Sequence, residues 1–492
     1  MEENMKQDIG IYFNSEMSYP TKEYNFRPDT RYPEFQDCAF QEVASERNSV
    51  YEGVRNAFLL MEYDKENIGS VKWNPLGEFM KHGDNVLLKP NMVMHYNRSD
   101  AGVNCLYTHP SIVATIIDYC ILALSENDIL YGKITVGDAP MQECNFETLI
   151  EESGYKKLIQ YYSEKGIKIE LVDFRNVRTK NEGGIRIKQA EDKENGVIVQ
   201  LNEKSNFAEI CEERLKNLRI TNYDPHILQK HHNINVHEYK VAKEILETDV
   251  IINLPKPKTH RKAGVTIAMK NLVGINANKE FLPHHTLGSQ EEGGDAYLYK
   301  NNCLRMSDYL LDKRNFLMQS EKYSLAKGVN FVARAIGRIG TIFYKKNYRE
   351  GSWYGNDTIW RTIYDLNKIA FYADKKGVIQ EYVSRKMLIV ADMVIAGQKD
   401  GPVAPSEKFC GVIAIGENPG YFDKTICNLM GFDLEKIPTT AHLHETGRFP
   451  IMKENMGKIV SNYKKWDGKQ AGQIPKKDSL QFEANPGWKD VP

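Results

Sequence analysis

The chain has 492 residues, with 65 Lys and Arg against 66 Asp and Glu, 41% hydrophobic residues and 27% charged ones. Those proportions belong to a folded protein and exclude a disordered or collagen-like chain. A balanced charge also argues against a surface devoted to nucleic acid, and at roughly 100–200 residues per domain the length allows two to four domains or one large elaborated one.

No apolar run reaches the length of about 18 residues that a membrane-crossing helix needs, and the first eight residues lack the basic-then-apolar pattern of a secretory signal. The eight cysteines (Cys38, Cys105, Cys120, Cys144, Cys211, Cys303, Cys410 and Cys427) include no Cys-x-x-Cys pair. An iron–sulfur cluster is therefore not expected, and isolated thiols suit a reducing compartment. The expected location is the cytoplasm.

In chain order, the apolar pattern predicts a first strand over 8–14, an irregular aromatic stretch to about residue 40, and a helix over 48–63. A buried strand follows over 85–89. A strongly apolar helix spans 110–124, with Pro110 in its first turn where the missing N–H costs nothing. Strands over 133–136 and 167–174 flank one long helix over 146–165. This alternation implies right-handed crossovers and a mainly parallel α/β sheet with flanking helices. Residues 185–188 and 197–201 alternate polar with apolar side chains, which suits an antiparallel excursion within about 175–224. The α/β rhythm resumes with a helix over 241–247 and a strand over 249–254. A mostly helical insertion is expected over 297–376, then strands over 386–395 and 411–415 and a helix over 421–430. The tail after residue 462 is rich in Lys, Gly and Pro and reads as loosely attached. The expected division is an N-terminal strand and helix region (1–82), the α/β core in two parts (83–296 and 377–462), the insertion (297–376) and the tail (463–492).

Ligands of open α/β sheets sit beyond the carboxyl ends of the strands. Polar residues recur there: Lys89 and Asn91, then Asp138, then the segment after Leu254. In that segment two prolines stiffen a stretch where Lys256, Lys258, His260, Arg261 and Lys262 crowd together, and an apolar helix is expected to open at Gly264. A basic loop feeding a helix amino end would hold a phosphate or carboxylate; a solvated turn is the plainer alternative. His284 and His285 follow in a loop. A histidine near an anion suits proton transfer, because its ordinary pKa lies near neutrality. His109, beside Pro110, either caps the helix start or reaches the cleft. No P-loop, Gly-x-Gly-x-x-Gly, His-Glu-x-x-His or Gly-x-Ser-x-Gly motif is present.

Charge is uneven along the chain. Residues 250–279 carry six basic residues and no acid, and residues 322–349 carry seven and none. In the second segment Leu325, Val329, Val332, Ile336, Ile339 and Phe343 recur at helical spacing, with Lys327, Arg334, Arg338 and Lys345 on the other side. That pattern fits a helix on an anionic membrane surface, and it is also the pattern of a helix packed on a core, which is the commoner case.

The segments Val86-Leu-Leu-Lys-Pro-Asn91, Thr108-His-Pro110, Val136-Gly-Asp-Ala-Pro140, the basic loop, Met269-Lys-Asn-Leu-Val-Gly274, Ala391-Asp392, Asp400-Gly-Pro402 and Leu429-Met-Gly431 occur in this order. Together they resemble the domain-of-unknown-function 362 family over about 83–440, outside the helical insertion. Many members of that family carry an appended ferredoxin-like cysteine cluster, which this chain lacks. Long forms without the cluster resemble proteins encoded beside surface-polysaccharide genes, so the resemblance implies a sugar-pathway role by association.

The expectation is thus a cytosolic enzyme, of unassigned reaction class, acting on an anionic small molecule such as a surface-polysaccharide precursor. Candidate catalytic groups are His260, His284, His285 and Asp138. Candidate substrate-binding groups are Lys89, Asn91, His109, Lys256, Lys258, Arg261, Lys270 and Asn271. No residue is assigned to a metal, and the cofactor is unknown; a divalent metal held by Asp138, Asp392 and histidines is a separate reading. The contrasting expectation is a non-catalytic binding or scaffold protein that docks through 322–349 at the inner face of a membrane. No nucleic-acid partner is expected, and the oligomeric state is not indicated.

Overall fold

The computed structural model describes residues 6–127, 129–192, 194–343, 348–447, 449–451 and 457–489. Its centre is a mainly parallel sheet, and the alternation of side chains along the strands explains why both faces are covered. The strands are β1 (Ile9–Phe13), β2 (Asn85–Pro90), β3 (Lys133–Asp138), β4 (Ile169–Asp173), β5 (Val250–Leu254), β6 (Lys386–Asp400), β7 (Ala404–Gly416) and β8 (Ile459–Ser461). Their spatial order is β8-β1-β7-β6-β5-β2-β3-β4. The run from β6 to β4 is parallel, and β7 pairs antiparallel with both β6 and β1. Leu87, Ile251 and Ile389 point to one face, against Trp360 and Tyr364. Val86, Leu88, Ile252 and Val390 point to the other, against Val54, Ile116 and Tyr119.

Helix α1 (Ser49–Leu60) and helix α2 (Pro110–Leu124) lie where the pattern predicts them. The single helix expected over 146–165 is instead two, α3 (Phe146–Ser153) and α4 (Tyr155–Glu164). Gly154 breaks it at φ 97°, where a β-carbon would also press on the Phe26 ring at 3.0 Å. The antiparallel excursion is present as the hairpin Val177–Glu182 with Ile185–Glu191, while Val197–Gln200 pairs further along the chain with Val236–Val241.

The segment after β5 departs from expectation. Lys258–His260 and Gly264–Thr266 form an antiparallel hairpin, and only one α-helical turn, Ala268–Asn271, follows before a short 3-10 segment over Leu272–Ile275. The Asp423 carboxyl group accepts hydrogen bonds from the Ala268 and Met269 amides, so the free N–H groups at the amino end of that turn already have their acceptor. An anion site at a helix terminus is therefore not what this segment builds.

The expected insertion also divides. Helices α5 (Asn302–Gln319) and α6 (Tyr323–Phe343) form an outlying hairpin, whereas α7 (Ile359–Tyr372) is buried along its length in the sheet's core. The tail is not loose. Trp466 and Ile474 are buried, and the buried Trp488 donates its indole N–H to the Arg261 carbonyl at 2.8 Å. Apolar area removed from water by these large side chains outweighs the flexibility implied by the tail's Lys, Gly and Pro content.

Candidate functional site

The carboxyl ends of β2, β3 and β5 meet beneath a cavity of about 350 Å³, a volume at the small end of metabolite-sized sites. Asn91 enters from the end of β2, Asp138 from the end of β3, and Lys258, His260 and Arg261 from the hairpin after β5. Lys270 and Asn271 come from the single helical turn, and His284 from the loop beyond it. These eight residues, all singled out in the sequence, share one wall system because three parallel strands end side by side.

Among the described residues, Lys258, Lys262, Lys270 and Lys279 of this wall have no carboxylate within ion-pair distance, and Glu350 and Asp138 act on Lys262 and Lys279 only from further away. Lys258 Nζ donates to Asn91 Oδ1 at 2.7 Å and to the Leu106 carbonyl at 2.6 Å. Because a lysine only donates, this fixes the Asn91 amide with its nitrogen toward Asn271 Oδ1 (2.8 Å), and Asn271 in turn donates to Asn253 Oδ1 (2.8 Å). A chain of asparagines thereby sets the direction of one buried ammonium group. Lys279 Nζ donates to the Ala139 carbonyl at 2.9 Å, and Lys262 Nζ to Thr221 Oγ1 at 3.1 Å and to the Glu350 carbonyl. Lys270 Nζ has no hydrogen-bond or ion-pair partner among the described residues. Burial lowers the amines of Lys258, Lys262 and Lys270 to about 7, and that of Lys279 to about 8; Glu350 partly opposes this at Lys262 and Asp138 at Lys279, while neighbouring cations reinforce it. Two further groups in the wall point the same way. The Thr266 hydroxyl and both polar atoms of Gln142 are buried and have no hydrogen-bond partner among the described residues, an arrangement that costs free energy unless a ligand or water completes it.

Hydrogen bonding fixes opposite tautomers on the two histidines. His260 Nδ1 accepts from the Lys262 and Ala263 amides, both at 3.1 Å, so its proton sits on Nε2. His284 Nδ1 lies 2.6 Å from the Leu282 carbonyl, to which it must donate, leaving a lone pair on Nε2. Burial holds both rings well below the usual histidine pKa, with the Lys270 charge adding to it in each. The site thus offers one N–H donor and one neutral base.

Asp138 serves a different purpose from a free carboxylate. It pairs with the buried Lys89 at 2.8 Å and accepts the Met92 and Ala139 amides at 2.6 and 2.8 Å. A β-carbon on Gly274 would fall 1.9 Å from Asp138 Oδ1, so only glycine permits this close approach. Lys89 stands behind the wall, also donating to the Pro90 carbonyl and to Asn271. Asp138 and Lys89 therefore position the strand ends.

Three other sequence candidates lie outside the cavity wall, for identifiable reasons. Lys256 is fully buried against Asp392 at 2.9 Å, with the Tyr19 hydroxyl donating to that carboxylate, so its charge is already met. His109 caps α2, its Nδ1 accepting the Ser111 amide at 3.2 Å, and its ring stacks on Tyr19 at 4.0 Å. His285 sits in a two-residue strand, with Nδ1 3.4 Å from Lys262 Nζ. Conversely, Arg98, Lys262, Lys279 and Arg334 line the cavity without having been candidates. Lys262 and Lys279 belong to the acid-free stretch 250–279, which was the available signal; Arg98 and Arg334 arrive from distant segments. Among the described residues no three His, Cys, Asp or Glu side chains converge as metal ligands, and Asp138 and Asp392 are each engaged by a lysine.

Were an anion to bind at these amines, its affinity would depend on pH. Protonated lysines would hold it, and the protonated fraction falls as pH rises through about 7 to 8. Binding an anion raises their pKa values, so protons are taken up with it. Sulfate, whose charge is constant in this range, is expected to bind at least about tenfold more weakly at pH 9 than at pH 6.5. Titration calorimetry in buffers of different ionisation enthalpy would read the proton uptake directly.

A family model described as "Domain of unknown function (DUF362)" matches residues 86–192 and 177–428. A curated protein of Synechocystis sp. named "Thylakoid-associated protein" is 27% identical over 204 residues, 42% of this chain and 43% of that protein. The match therefore spans less than half of the relative's length.

Proposed function

The chain belongs to the DUF362 family, and from that premise we propose that its cleft binds a phosphorylated or carboxylated small molecule and moves a proton on it. The observation that carries this reading is the set of four lysines, Lys258, Lys262, Lys270 and Lys279, in one cavity wall, none with a carboxylate within ion-pair distance among the described residues. Removing several ammonium groups from water is unfavourable unless an anion offsets it. The ligand's two or more negative oxygens would bridge these amines, with Arg261 available as a forked donor at the rim. His284 Nε2 would accept a proton and His260 Nε2–H would donate one, and the ligand's own charge would lift both rings toward neutrality. A phosphorylated precursor of a surface polysaccharide is the first substrate class to try, since the cavity's volume suits a sugar-phosphate-sized group. The protein would then be an enzyme, with its reaction of the acid–base kind. The thylakoid association in the relative's name supports a setting near a membrane.

Calorimetry with inorganic phosphate tests the binding step; no heat of binding at millimolar phosphate would overturn it. Proton positions are tested by following the histidine ring resonances. Phosphate is expected to raise the titration midpoints of His260 and His284 by about one unit or more. His284→Gln should remove one of the two responding signals and leave phosphate affinity nearly unchanged. Midpoints that ignore phosphate would remove the acid–base assignment.

A further inference from the structure

The hairpin of α5 and α6 turns an unusual face outward. On α6 the residues packed against α5 are small or polar: Ala326, Asn330, Ala333, Gly337 and Gly340. Ser307 of α5 donates to the Ala333 carbonyl at 2.8 Å, and a β-carbon on Gly340 would touch Cys303 and Leu304 at 3.1 Å. Small side chains let the two helices approach closely, and that leaves the large apolar side chains of α6 unused. Leu325, Val332, Ile339 and Ile342 follow one another at spacings of seven, seven and three, a continuous stripe, and Phe331 flanks it with 77% of its surface exposed. Met306, Tyr309 and Phe316 of α5 are exposed as well. Of the apolar positions that share helical spacing in the sequence, Leu325, Val332 and Ile339 are exposed and Val329 and Ile336 are half-buried, while the Phe343 side chain lies outside the described residues. Lys345 lies outside the described residues.

Charge on the hairpin is sorted in the complementary way. Its two aspartates turn inward, Asp308 toward Arg349 at 3.6 Å and Asp312 to Arg219 at 3.1 Å. Lys313, Lys327, Arg334 and Arg338 are exposed, with Glu321 at the turn between the helices. An apolar stripe edged by cations matches a surface that is apolar inside and anionic at its boundary. Arg334 belongs both to this helix and to the wall of the cavity, so the hairpin lies at the cavity's edge.

We propose that the α5–α6 hairpin docks on an anionic lipid bilayer, with the stripe of Leu325, Val332, Ile339 and Ile342 in the headgroup–acyl boundary, which brings the mouth of the cleft to the headgroup layer. A protein groove would satisfy the stripe but gives no reason for the cations along its edge. None of the helices among the described residues is long and apolar enough to cross a membrane, so the attachment is lateral and reversible.

Flotation of the full chain with vesicles tests this. Binding is expected to phosphatidylglycerol–phosphatidylcholine vesicles at low salt, with at least about a tenfold loss in pure phosphatidylcholine or at high salt, as screening of surface charge requires. Phe331→Glu with Ile342→Glu, both at positions that solvent already reaches, should abolish flotation while phosphate affinity stays unchanged. Lys327→Glu with Arg338→Glu should do the same. Absence of flotation with phosphatidylglycerol vesicles, or flotation unaffected by these pairs, would overturn the proposal. So would a dimer in solution that Phe331→Glu and Ile342→Glu dissociate, in a protein that does not float, because the face would then belong to a second copy. The cleft reading is tested separately: loss of phosphate binding with flotation intact would leave the docking surface standing.

Discussion

Replacing Lys258 or Lys270 with methionine is expected to weaken phosphate binding by about 10- to 100-fold and to raise the thermal stability of the empty protein near pH 7. The first effect follows from removing one charge-assisted hydrogen bond to the anion, worth about 1.5–3 kcal/mol. The second follows from linkage. Burial lowers these amines to about 7 from their ordinary 10.5. Between those values the unfolded chain binds more protons than the folded one, so the folded state is penalised at and below pH 7 and recovers as pH rises toward 10. Methionine occupies similar volume and carries no charge, so that penalty disappears. Calorimetry for affinity and a pH series of thermal melts for stability would check both halves. A stabilising substitution that removes binding is the mark of a functional residue; a destabilising substitution with unchanged binding would make these lysines structural.

Asp392→Ala is expected to act in the opposite sense. It strands the buried Lys256 ammonium without its partner at 2.9 Å, and breaking a buried pair in this way costs about 3–5 kcal/mol. The folded fraction should nonetheless bind phosphate within about threefold of the wild type, because neither residue lines the cavity. Lys256→Met combined with Asp392→Leu should recover much of the lost stability, since two apolar residues of similar volume can replace a buried ion pair. Denaturant melts of the three variants, each paired with a phosphate titration, separate the roles. If Lys256→Met alone weakened phosphate binding tenfold, Lys256 would belong with the anion-binding amines after all.

The division between these two lysines shows how far residue patterns reach. Lys256 and Lys258 are two positions apart, follow the same strand and carry the same charge. On an extended backbone, side chains two apart leave on the same side. What separates them is the partner each one meets: Asp392 from β6 for Lys256, and Asn91 from the end of β2 for Lys258. Those partners come from strands that are far apart along the chain, and local spacing carries no information about them. His260 and His284 were legible as polar residues beyond a strand, but their tautomers rest on the backbone amides and the carbonyl that each ring meets.

Most strands of the central sheet, its parallel character and the basic stretch 250–279 were readable along the chain, because periodicity and β-branched runs are local properties, whereas the break at Gly154 and the hairpin at 258–266 were not. The same holds for the residues that carry the family resemblance. Which cations lack counter-charges, which face of α6 stays exposed and whether the tail packs were settled by contacts between distant segments. Burial sets the cost of each charge, and burial is a property of the assembled sheet. The near-neutral total of 65 basic and 66 acidic residues therefore conceals a folded protein with unpaired lysines around one cavity.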